Sequence, residues 1–208
     1  METVTALRNG SQDAAGARAE EARTRFAALV GEHLDGLYGT AVRLTRNRTT
    51  AEDLVQEAML RGWRSFHTFQ PGTNFRAWMY RILMNAHFDR HRKDTRTPEV
   101  VQDEVSDSYL YTKARESAAL SDAGNPETVV LDRIMDAEVR ESLEALPLPF
   151  RTALLLVDVE GFSYKEAAEI LGIPVGTVMS RLYRGRHALQ KKLWEFAKDR
   201  HYVRGDRG

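Results

Sequence analysis

Residues 164–183, YKEAAEILGIPVGTVMSRLY, decide the fold, because their spacing is that of a helix-turn-helix. Ala168 supplies a small side chain where two helices would cross, and Gly172, four residues later, can adopt the left-handed turn conformation. Val178, six residues further on, would pack the second helix onto the first. The stretch predicts a DNA-binding element, and the alternative is a packing corner of a helical bundle.

The residues around this stretch favour the DNA-binding element. Ser163 and Glu166 form a capping-box pair at the start of the first helix, and Pro174 lies at the favoured opening position of the second. Positive side chains, which suit the phosphate-lined groove of DNA, crowd the second helix. They are Arg181, Arg184, Arg186, Lys191 and Lys192.

The composition excludes several classes of protein. With 208 residues and 42% hydrophobic residues, the chain can bury one or two modest cores. It contains no cysteine, which excludes disulfides, thiol catalysis and cysteine zinc sites. It has no run of about 18 apolar residues and no signal-peptide pattern, so we expect a cytoplasmic protein without membrane insertion.

The net charge of zero conceals a segregated pattern. Residues 61–97 contain eight Lys or Arg against two acids, and residues 176–204 contain the same numbers, a net +6 in each case. Residues 98–138 instead contain three Lys or Arg against ten acids, a net −7. Two basic blocks that flank an acidic one are compatible with nucleic-acid binding despite the neutral sum.

Apolar spacing predicts an all-α protein with two small helical domains. In the first domain, a helix is expected over residues 26–42. A second helix is expected to begin at Thr50, with Asp53 as its capping partner, and a third is expected over residues 75–93.

The second domain is predicted to follow a long acidic segment of weak periodicity. A helix should restart at residues 125–127, Asn-Pro-Glu, and an apolar helix over 150–159 should end at Gly161, before the helix-turn-helix. The predicted divisions are a disordered tail at 1–22, a first domain at 23–93, a flexible acidic linker at 94–125, a second domain at 126–200 and a tail at 201–208.

The third predicted helix carries a candidate nucleic-acid surface. Four residues at spacings of four, three and four share a face opposite its apolar stripe: Arg81, Asn85, Phe88 and Arg92. Amides and guanidiniums can bond to base edges, and an aromatic ring can stack on an unpaired base. The alternative is an ordinary solvated face.

The turn before this helix, residues 70–74, is bracketed by aromatic residues at positions 66, 69, 75 and 78. Such a turn could form a pocket for an extruded base, with Thr73 and Asn74 as hydrogen-bonding groups. The alternative is a simple connection between helices.

The second predicted helix carries a charged face that includes Asp53, Gln56, Glu57 and Arg61. This face is either a solvated surface or a protein-docking surface.

A metal site is not expected, although His87 and His91 have a spacing that can chelate a cation. The sequence offers no third ligand nearby, and the adjacent positive residues would repel a cation. These residues are Arg90, Arg92 and Lys93.

Together these motifs resemble those of the extracytoplasmic-function (ECF, group IV) RNA polymerase sigma factors. The resemblance covers about residues 23–93 and 126–197. It is carried by AEDLVQEAMLRGW at 51–63, NFRAWMYRILMNAHFDRHRK at 74–93, and ALPLPFRTALLLVDVEGFSYKEAAEILGIPVGTVMSRLYRGR at 145–186. It implies that the two domains are sigma regions 2 and 4 and that the chain is a transcription initiation factor, not an enzyme, with no cofactor.

The resemblance implies three sets of site residues. Those that would dock on core RNA polymerase are Asp53, Gln56, Glu57 and Arg61. Those that would bind the minus-ten promoter element are Thr73, Asn74, Arg81, Asn85, Phe88 and Arg92. Those that would lie over the minus-thirty-five element are Thr177, Ser180, Arg181, Arg184 and Arg186. Arg81 and Ile82 replace the paired tryptophans of the housekeeping factors, as is usual in the ECF class.

The partners implied by the resemblance are core RNA polymerase, promoter DNA as duplex and melted strand, and an anti-sigma factor that restrains the chain. The motif PVGTVMSRLYRGR, at 174–186, is similar to the thiol-oxidative-stress subgroup, whose anti-sigma proteins contain zinc and sense redox state. A cysteine-free chain fits sensing by the partner. The free chain is expected to be monomeric.

Two other functions are compatible with parts of the sequence. A two-domain repressor or activator would also have a C-terminal helix-turn-helix, but its other domain should supply a ligand pocket or a dimer face. A metal-dependent nuclease built around His87 and His91 has no further support in the sequence.

Overall fold

The structure is a computed structural model that describes residues 2–94 and 137–199, and every regular element in these ranges is helical. The prediction of an all-α protein is therefore confirmed for this part of the chain. Of the linker predicted at 94–125, only Asp94 is described, as the last residue of a helix, and the rest of it, the helix restart at 125–127 and the tail at 201–208 lie outside the described residues.

The helices fall into two halves along the chain. The first half contains α1 (Glu2–Gly31), α2 (Leu34–Thr45), α3 (Arg48–Ser65), a 3₁₀ turn (Phe66–Thr68) and α4 (Phe75–Asp94). The second half contains α5 (Ala137–Glu144), α6 (Leu148–Leu154), a π-helical turn (Leu155–Val159), α7 (Tyr164–Leu171) and α8 (Val175–Asp199). Within the described ranges, no helix is both long and apolar enough to cross a bilayer.

Helix α1 begins at Glu2, whereas the sequence predicts a disordered tail over residues 1–22. Residues 16–21 of this helix are exposed, so this part has no core face. The composition accounts for the difference, because Ala, Glu and Arg favour helix even without burial. From residue 16 onward, Phe26 is the first buried residue.

The single helix predicted over residues 26–42 is divided into α1 and α2 by Glu32 and His33. The His33 N–H donates to the Val30 carbonyl at 3.0 Å, and the His33 carbonyl accepts from the Leu37 N–H at 3.0 Å. Phe26 and Val30 of α1 and Leu37 and Ala41 of α2 are all buried, whereas Leu34 beside the break is exposed. Apolar spacing therefore cannot distinguish one continuous helix from two.

Helix α3 begins at Arg48, and its N-cap is Asn47. The Asn47 Oδ1 accepts from the Thr50 N–H at 3.0 Å. The predicted capping pair of Thr50 and Asp53 is wrong, because Asn47 is at least as good a cap and lies three residues earlier, in extended backbone.

The helix-turn-helix is confirmed in its local geometry. Ser163 and Glu166 form the capping box of α7, and Gly172 ends α7 in the left-handed conformation with φ 67°. Pro174 precedes α8, and its carbonyl accepts from the Val178 N–H at 3.2 Å, so it occupies the capping position of the second helix.

Both halves of the described chain share one apolar core. Helix α4 links them. On one side, Met79 Sδ would lie 2.9 Å from a Cβ placed on Gly62 of α3, so these helices are in close contact. On the other side, the ring of Tyr80 contacts that of Phe162, just before α7, with centroids 5.0 Å apart. The predicted division into two linked domains did not include this contact.

We expect Asn47→Ala to lower the free energy of unfolding by about 1 kcal/mol, because two donors of the first α3 turn lose the side-chain acceptor they share. Chemical denaturation followed by circular dichroism measures the change. Asp53→Ala, at the position wrongly predicted to cap the helix, is the matched control and should change stability by about 0.5 kcal/mol or less. Equal losses in the two variants would contradict the assigned cap.

Candidate functional sites

The predicted nucleic-acid face of α4 lies on its solvent side. Arg81, Asn85 and Arg92 are exposed, and Phe88 is half-buried. At 100° per residue, the four side chains fall within an arc of roughly 60° on the side of the helix away from Met79. The structure therefore brings these four residues onto one accessible strip.

The turn at residues 70–74 has a structural role in this state. The Asn74 Oδ1 accepts from the Ala77 N–H at 3.0 Å, which caps the start of α4. The Thr73 hydroxyl donates to the Gln70 carbonyl at 2.7 Å. Thr73 and Asn74 are nevertheless exposed, so the turn remains at the surface.

Four aromatic rings support this turn by packing on one another. Phe66 and Phe69 are stacked, with centroids 5.9 Å apart, and Phe69 meets Phe75 edge to face at 5.2 Å. Trp78 lies 5.4 Å from Phe69. Because the rings fill the space behind the turn, they fix its position relative to α4.

Charged side chains join α3 to α4 along the predicted polymerase-docking face. Glu57 accepts hydrogen bonds from Arg61 at 2.5 Å and from Arg90 at 2.7 Å. Arg61 also donates to Asp89 at 2.7 Å, and Arg92 donates to Asp89 at 2.5 Å. Glu57 and Arg61 are therefore partly occupied in holding the two helices together.

The pKa values of Glu57, Asp89 and Arg61 follow from their pairing. Burial acts to raise the pKa of Glu57, but the hydrogen bonds from Arg90 and Arg61 outweigh it and lower that pKa overall. The hydrogen bond from Arg61 lowers the pKa of Asp89, and the same bond raises the pKa of Arg61. All these side chains carry their charges at neutral pH.

An exposed stripe runs along α3 beside this network. Asp53 and Gln56 are exposed, and the stripe continues at the same helical phase through two large apolar residues. Leu60 is 57% exposed and Trp63 is 40% exposed. This pair of exposed apolar side chains beside polar residues is compatible with the predicted protein-docking surface. Sequence reasoning did not identify Leu60 and Trp63 as part of this stripe, since apolar type alone does not reveal exposure.

Helix α8 has a buried seam that separates two flanks. The seam contains Val178 and Leu182, which are buried, and Gly185, where an added Cβ would lie 3.0 Å from Leu154 Cδ1. Four of the predicted minus-thirty-five residues share one flank at helical spacing. They are Thr177, Ser180, Arg181 and Arg184, all of them half-exposed.

Arg186 lies on the other flank of the seam, away from these four residues. Its Nη2 donates to Asp158 Oδ1 at 2.6 Å and its Nε donates to Asp158 Oδ2 at 3.1 Å. The hydrogen bond to Asp158 raises the pKa of Arg186. This two-pronged pair ties α8 to the π-helical turn, so the structure does not bring Arg186 together with the other predicted DNA-binding residues.

Sequence reasoning missed a contact between the two halves. It lies on the side of α4 that faces the second half. Arg76, Tyr80 and His87 share this face, at spacings of four and seven, and Tyr80 donates to Glu160 of the second half at 2.5 Å. Burial, followed by the hydrogen bond to Glu160, raises the pKa of Tyr80. The helical spacing of these three large side chains, beside the apolar stripe, is the sequence signal that could have revealed the contact.

His87 and His91 do not form a metal centre in the described ranges, where no group of three His, Asp or Glu side chains could hold a cation. His87 is buried, its Nε2 has no hydrogen-bond partner among the described residues, and the ring centroids of the two histidines are 6.4 Å apart. Burial, followed by the positive charges of Arg151, His91 and Arg90, lowers the pKa of His87 to about 4.

Family models match both halves of the chain. The model of Sigma-70 region 2 matches residues 29–97, and that of Sigma-70, region 4 matches residues 136–189. The ECF RNA polymerase sigma factor SigW of Bacillus subtilis (strain 168) is 33% identical over 191 residues, which cover 91% of this chain and 94% of the relative. The chain belongs to the ECF RNA polymerase sigma factors.

Further relatives and solved structures agree with this family. The ECF sigma factor SigE of Mycolicibacterium smegmatis is 38% identical over 79% of this chain, but the match spans only 60% of that relative. The sigma factor RpoE in complex with the anti-sigma factor NepR from Bartonella quintana is similar with a TM-score of 0.60 and 26% identity, over 81% of this chain and 96% of RpoE. CnrH in complex with the cytosolic domain of CnrY is similar with a TM-score of 0.56 and 26% identity, over 84% of this chain and 94% of CnrH.

In this sigma factor, we expect His87→Leu to reduce the loss of stability in mild acid. Unfolded His87 takes up a proton near pH 6.5, whereas folded His87 resists protonation until about pH 4. The unfolded chain therefore binds more protons between these values, so the stability from neutral His87 is complete above pH 6.5 and is lost as the pH falls through 4. Denaturation midpoints from pH 7.5 to 4.5 test this, with His67→Gln as the control at an exposed position. Parallel curves for wild type and His87→Leu would contradict it.

Proposed function

We propose that the chain initiates transcription by binding core RNA polymerase and recognising the minus-ten and minus-thirty-five promoter elements. The observation that carries this proposal is that each matched region presents an accessible strip of basic and hydrogen-bonding side chains: the α4 strip in region 2 and one flank of α8 in region 4. Run-off transcription with purified core polymerase on a promoter library is the direct test. Transcripts should start at defined sites only when the chain is present.

The minus-ten element is proposed to bind along the α4 strip and the neighbouring turn. Arg81, Asn85 and Arg92 offer exposed donors, and Phe88 offers an aromatic edge. Thr73 and Asn74 lie at the surface of the turn, where the aromatic rings behind them give a fixed backing for an extruded base.

The minus-thirty-five element is proposed to face Thr177, Ser180, Arg181 and Arg184. These residues occupy the first turns of α8, the part of a recognition helix that enters the major groove. Arg186 is proposed to position α8 through Asp158, because its guanidinium is engaged on the opposite flank.

Core polymerase is proposed to bind the exposed stripe of α3. Asp53 and Gln56 supply polar contacts, and Leu60 and Trp63 add apolar area that would be buried in the complex. Glu57 and Arg61 would contribute in part through the network that holds α3 against α4.

An anti-sigma factor is proposed as a further partner, because one similar solved structure is the sigma factor RpoE in complex with the anti-sigma factor NepR. For a thiol-responsive version of this control, zinc and the redox-active thiols would have to lie in the partner, since the chain contains no cysteine. Size-exclusion chromatography of the complex with and without a thiol oxidant tests this, and a complex that survives oxidation would exclude the redox version.

We expect the double change Asp53→Ala with Gln56→Ala to weaken binding to core polymerase by roughly tenfold or more, the effect of losing about 1.4 kcal/mol of interface contacts. Stability should change little, because both side chains are exposed. Titration of labelled sigma factor with core enzyme measures the affinity. Glu32→Ala, which removes one exposed acid before α2, is the control. Unchanged affinity in the double variant would exclude the stripe as the docking surface.

We expect Arg181→Ala to weaken DNA binding and Arg186→Ala to lower the stability of the fold. Arg181→Ala should weaken binding to the cognate minus-thirty-five element by about 1 to 3 kcal/mol, and weaken binding to a scrambled element less. Arg186→Ala should instead lower the stability of the fold by about 1 to 3 kcal/mol, because Asp158, whose side chain is 15% exposed, loses its partner. Fluorescence anisotropy on the two DNAs and denaturation curves separate the effects. Equal loss of sequence discrimination in both variants would contradict the assigned flanks.

A further inference from the structure

Arg151, on α6, is a buried cation that forms no ion pair with the described residues. Its exposed fraction is only 6%. The guanidinium Nη1 donates to the Glu144 carbonyl, at the end of α5, at 2.9 Å. The Nε is buried as well, and it has no hydrogen-bond partner in the described part of the chain. The Nε side of this guanidinium is therefore left without an acceptor.

His87, on α4, supplies a second unsatisfied nitrogen near Arg151. Its exposed fraction is 7%, and its buried Nε2 has no hydrogen-bond partner among the described residues. Burial, followed by the positive charge of Arg151, lowers the pKa of His87, so the two side chains lie near each other and the ring is neutral at physiological pH. A neutral imidazole that carries its proton on Nε2 is a hydrogen-bond donor. Two buried donors thus lie in one region without an acceptor.

Arg46 adds a third positive group to this region from the surface. It ends α2 in the left-handed conformation with φ 60°, and its side chain is exposed. Helix α2 contacts α5, whose last residue is Glu144. Burial, followed by the charge of Arg46, lowers the pKa of Arg151, so Arg46 acts on Arg151 in the folded chain. Arg46 is thus the exposed member of a cluster whose other members are buried.

The acidic residues described in the structure do not neutralise this cluster. The charge of Glu144 favours the charged form of Arg151, but burial and Arg46 together outweigh it and leave the pKa lowered. A buried charge without a partner costs several kcal/mol, and buried unsatisfied polar groups in proteins commonly mark a bound water or ion. A water molecule can accept from the Nε but does not balance the charge. An anion does both.

The shape of the donors selects the kind of anion. Nε and Nη2 of a guanidinium form a planar fork that matches two oxygens of an oxyanion, whereas a spherical chloride offers no such match. A tetrahedral anion has further oxygens, one of which can accept from His87 Nε2. Phosphates within a DNA duplex cannot reach a guanidinium that is only 6% exposed, so the anion must be free and small.

We propose that Arg151, His87 and Arg46 form a binding site for a free oxyanion of the phosphate class. Arg151 and His87 hold the anion by hydrogen bonds, and Arg46 adds a positive charge on the solvent side. None of the three belongs to the surfaces proposed to bind polymerase or promoter DNA, so the site does not rest on the proposed function. The bound ion stabilises the chain, because it binds the folded state and not the unfolded one.

The direct test is a titration of the full chain with inorganic phosphate, followed by NMR at the Arg151 Nε–H group. Chloride keeps the ionic strength constant, and the signal is assigned through the side-chain carbons. We expect a saturable shift with phosphate and none with chloride. Arg46→Gln should weaken the affinity roughly tenfold, the effect of losing one charge-assisted contact. Arg48→Gln, also at an exposed position, is the matched control and should keep the wild-type affinity.

Thermal unfolding gives a second measurement. Phosphate stabilises most proteins because it is excluded from their surfaces, so the informative quantity is the difference between variants. The wild type and Arg48→Gln should gain the same increase in unfolding midpoint when phosphate replaces chloride. Arg151→Lys should gain less, because lysine keeps the charge but lacks the guanidinium fork.

The site is refuted if phosphate leaves the Arg151 signal unchanged, or if Arg48→Gln weakens binding as much as Arg46→Gln does. An equal shift with chloride would mean an adventitious ion only and would refute it too. If Arg151→Lys loses its helical circular dichroism, the NMR titration of Arg46→Gln decides, since that position is exposed. Failure of the wild-type chain in run-off transcription would refute the proposed function and leave the phosphate result standing, whereas transcription without a phosphate effect would refute this site alone.

Discussion

Helix α4 is packed on two sides, and the arrangement of the functional surfaces follows from this constraint. Met79 lies against Gly62 of α3 on one side, and Tyr80 lies against Phe162 of the second half on the other. Only a narrow third side remains exposed. The residues proposed to bind the minus-ten element occupy this strip, because it is the part of α4 that neither neighbour covers.

Charged side chains that are far apart in the sequence form specific ion pairs in the fold. Within the first half, Glu57 and Arg61 take part in a network that joins α3 to α4. Between the halves, acids of the second half meet donors of the first, as Glu160 does with Arg76. Arg76 of region 2 is therefore paired with an acid of region 4.

Local signals in the sequence predicted local structure well. Gly172 and the pair of Ser163 and Glu166 specify the helix-turn-helix because each acts within a single turn of helix. The start of α3 was predicted wrongly because the local signal is ambiguous there. Asn47 and Thr50 are both good caps within one turn of each other, and the choice between them depends on which residue adopts extended backbone.

The sequence by itself determined the all-α class, the helix-turn-helix and the exposed strip of α4, because periodicity and capping are encoded within a few residues. Only the tertiary structure decided that Arg186 pairs with Asp158, that Leu60 is exposed, and that Glu160 joins the two halves. The Glu160 contacts connect residues 80 to 120 positions apart. No periodic pattern links such distant positions, because the contact depends on how the helices pack against each other.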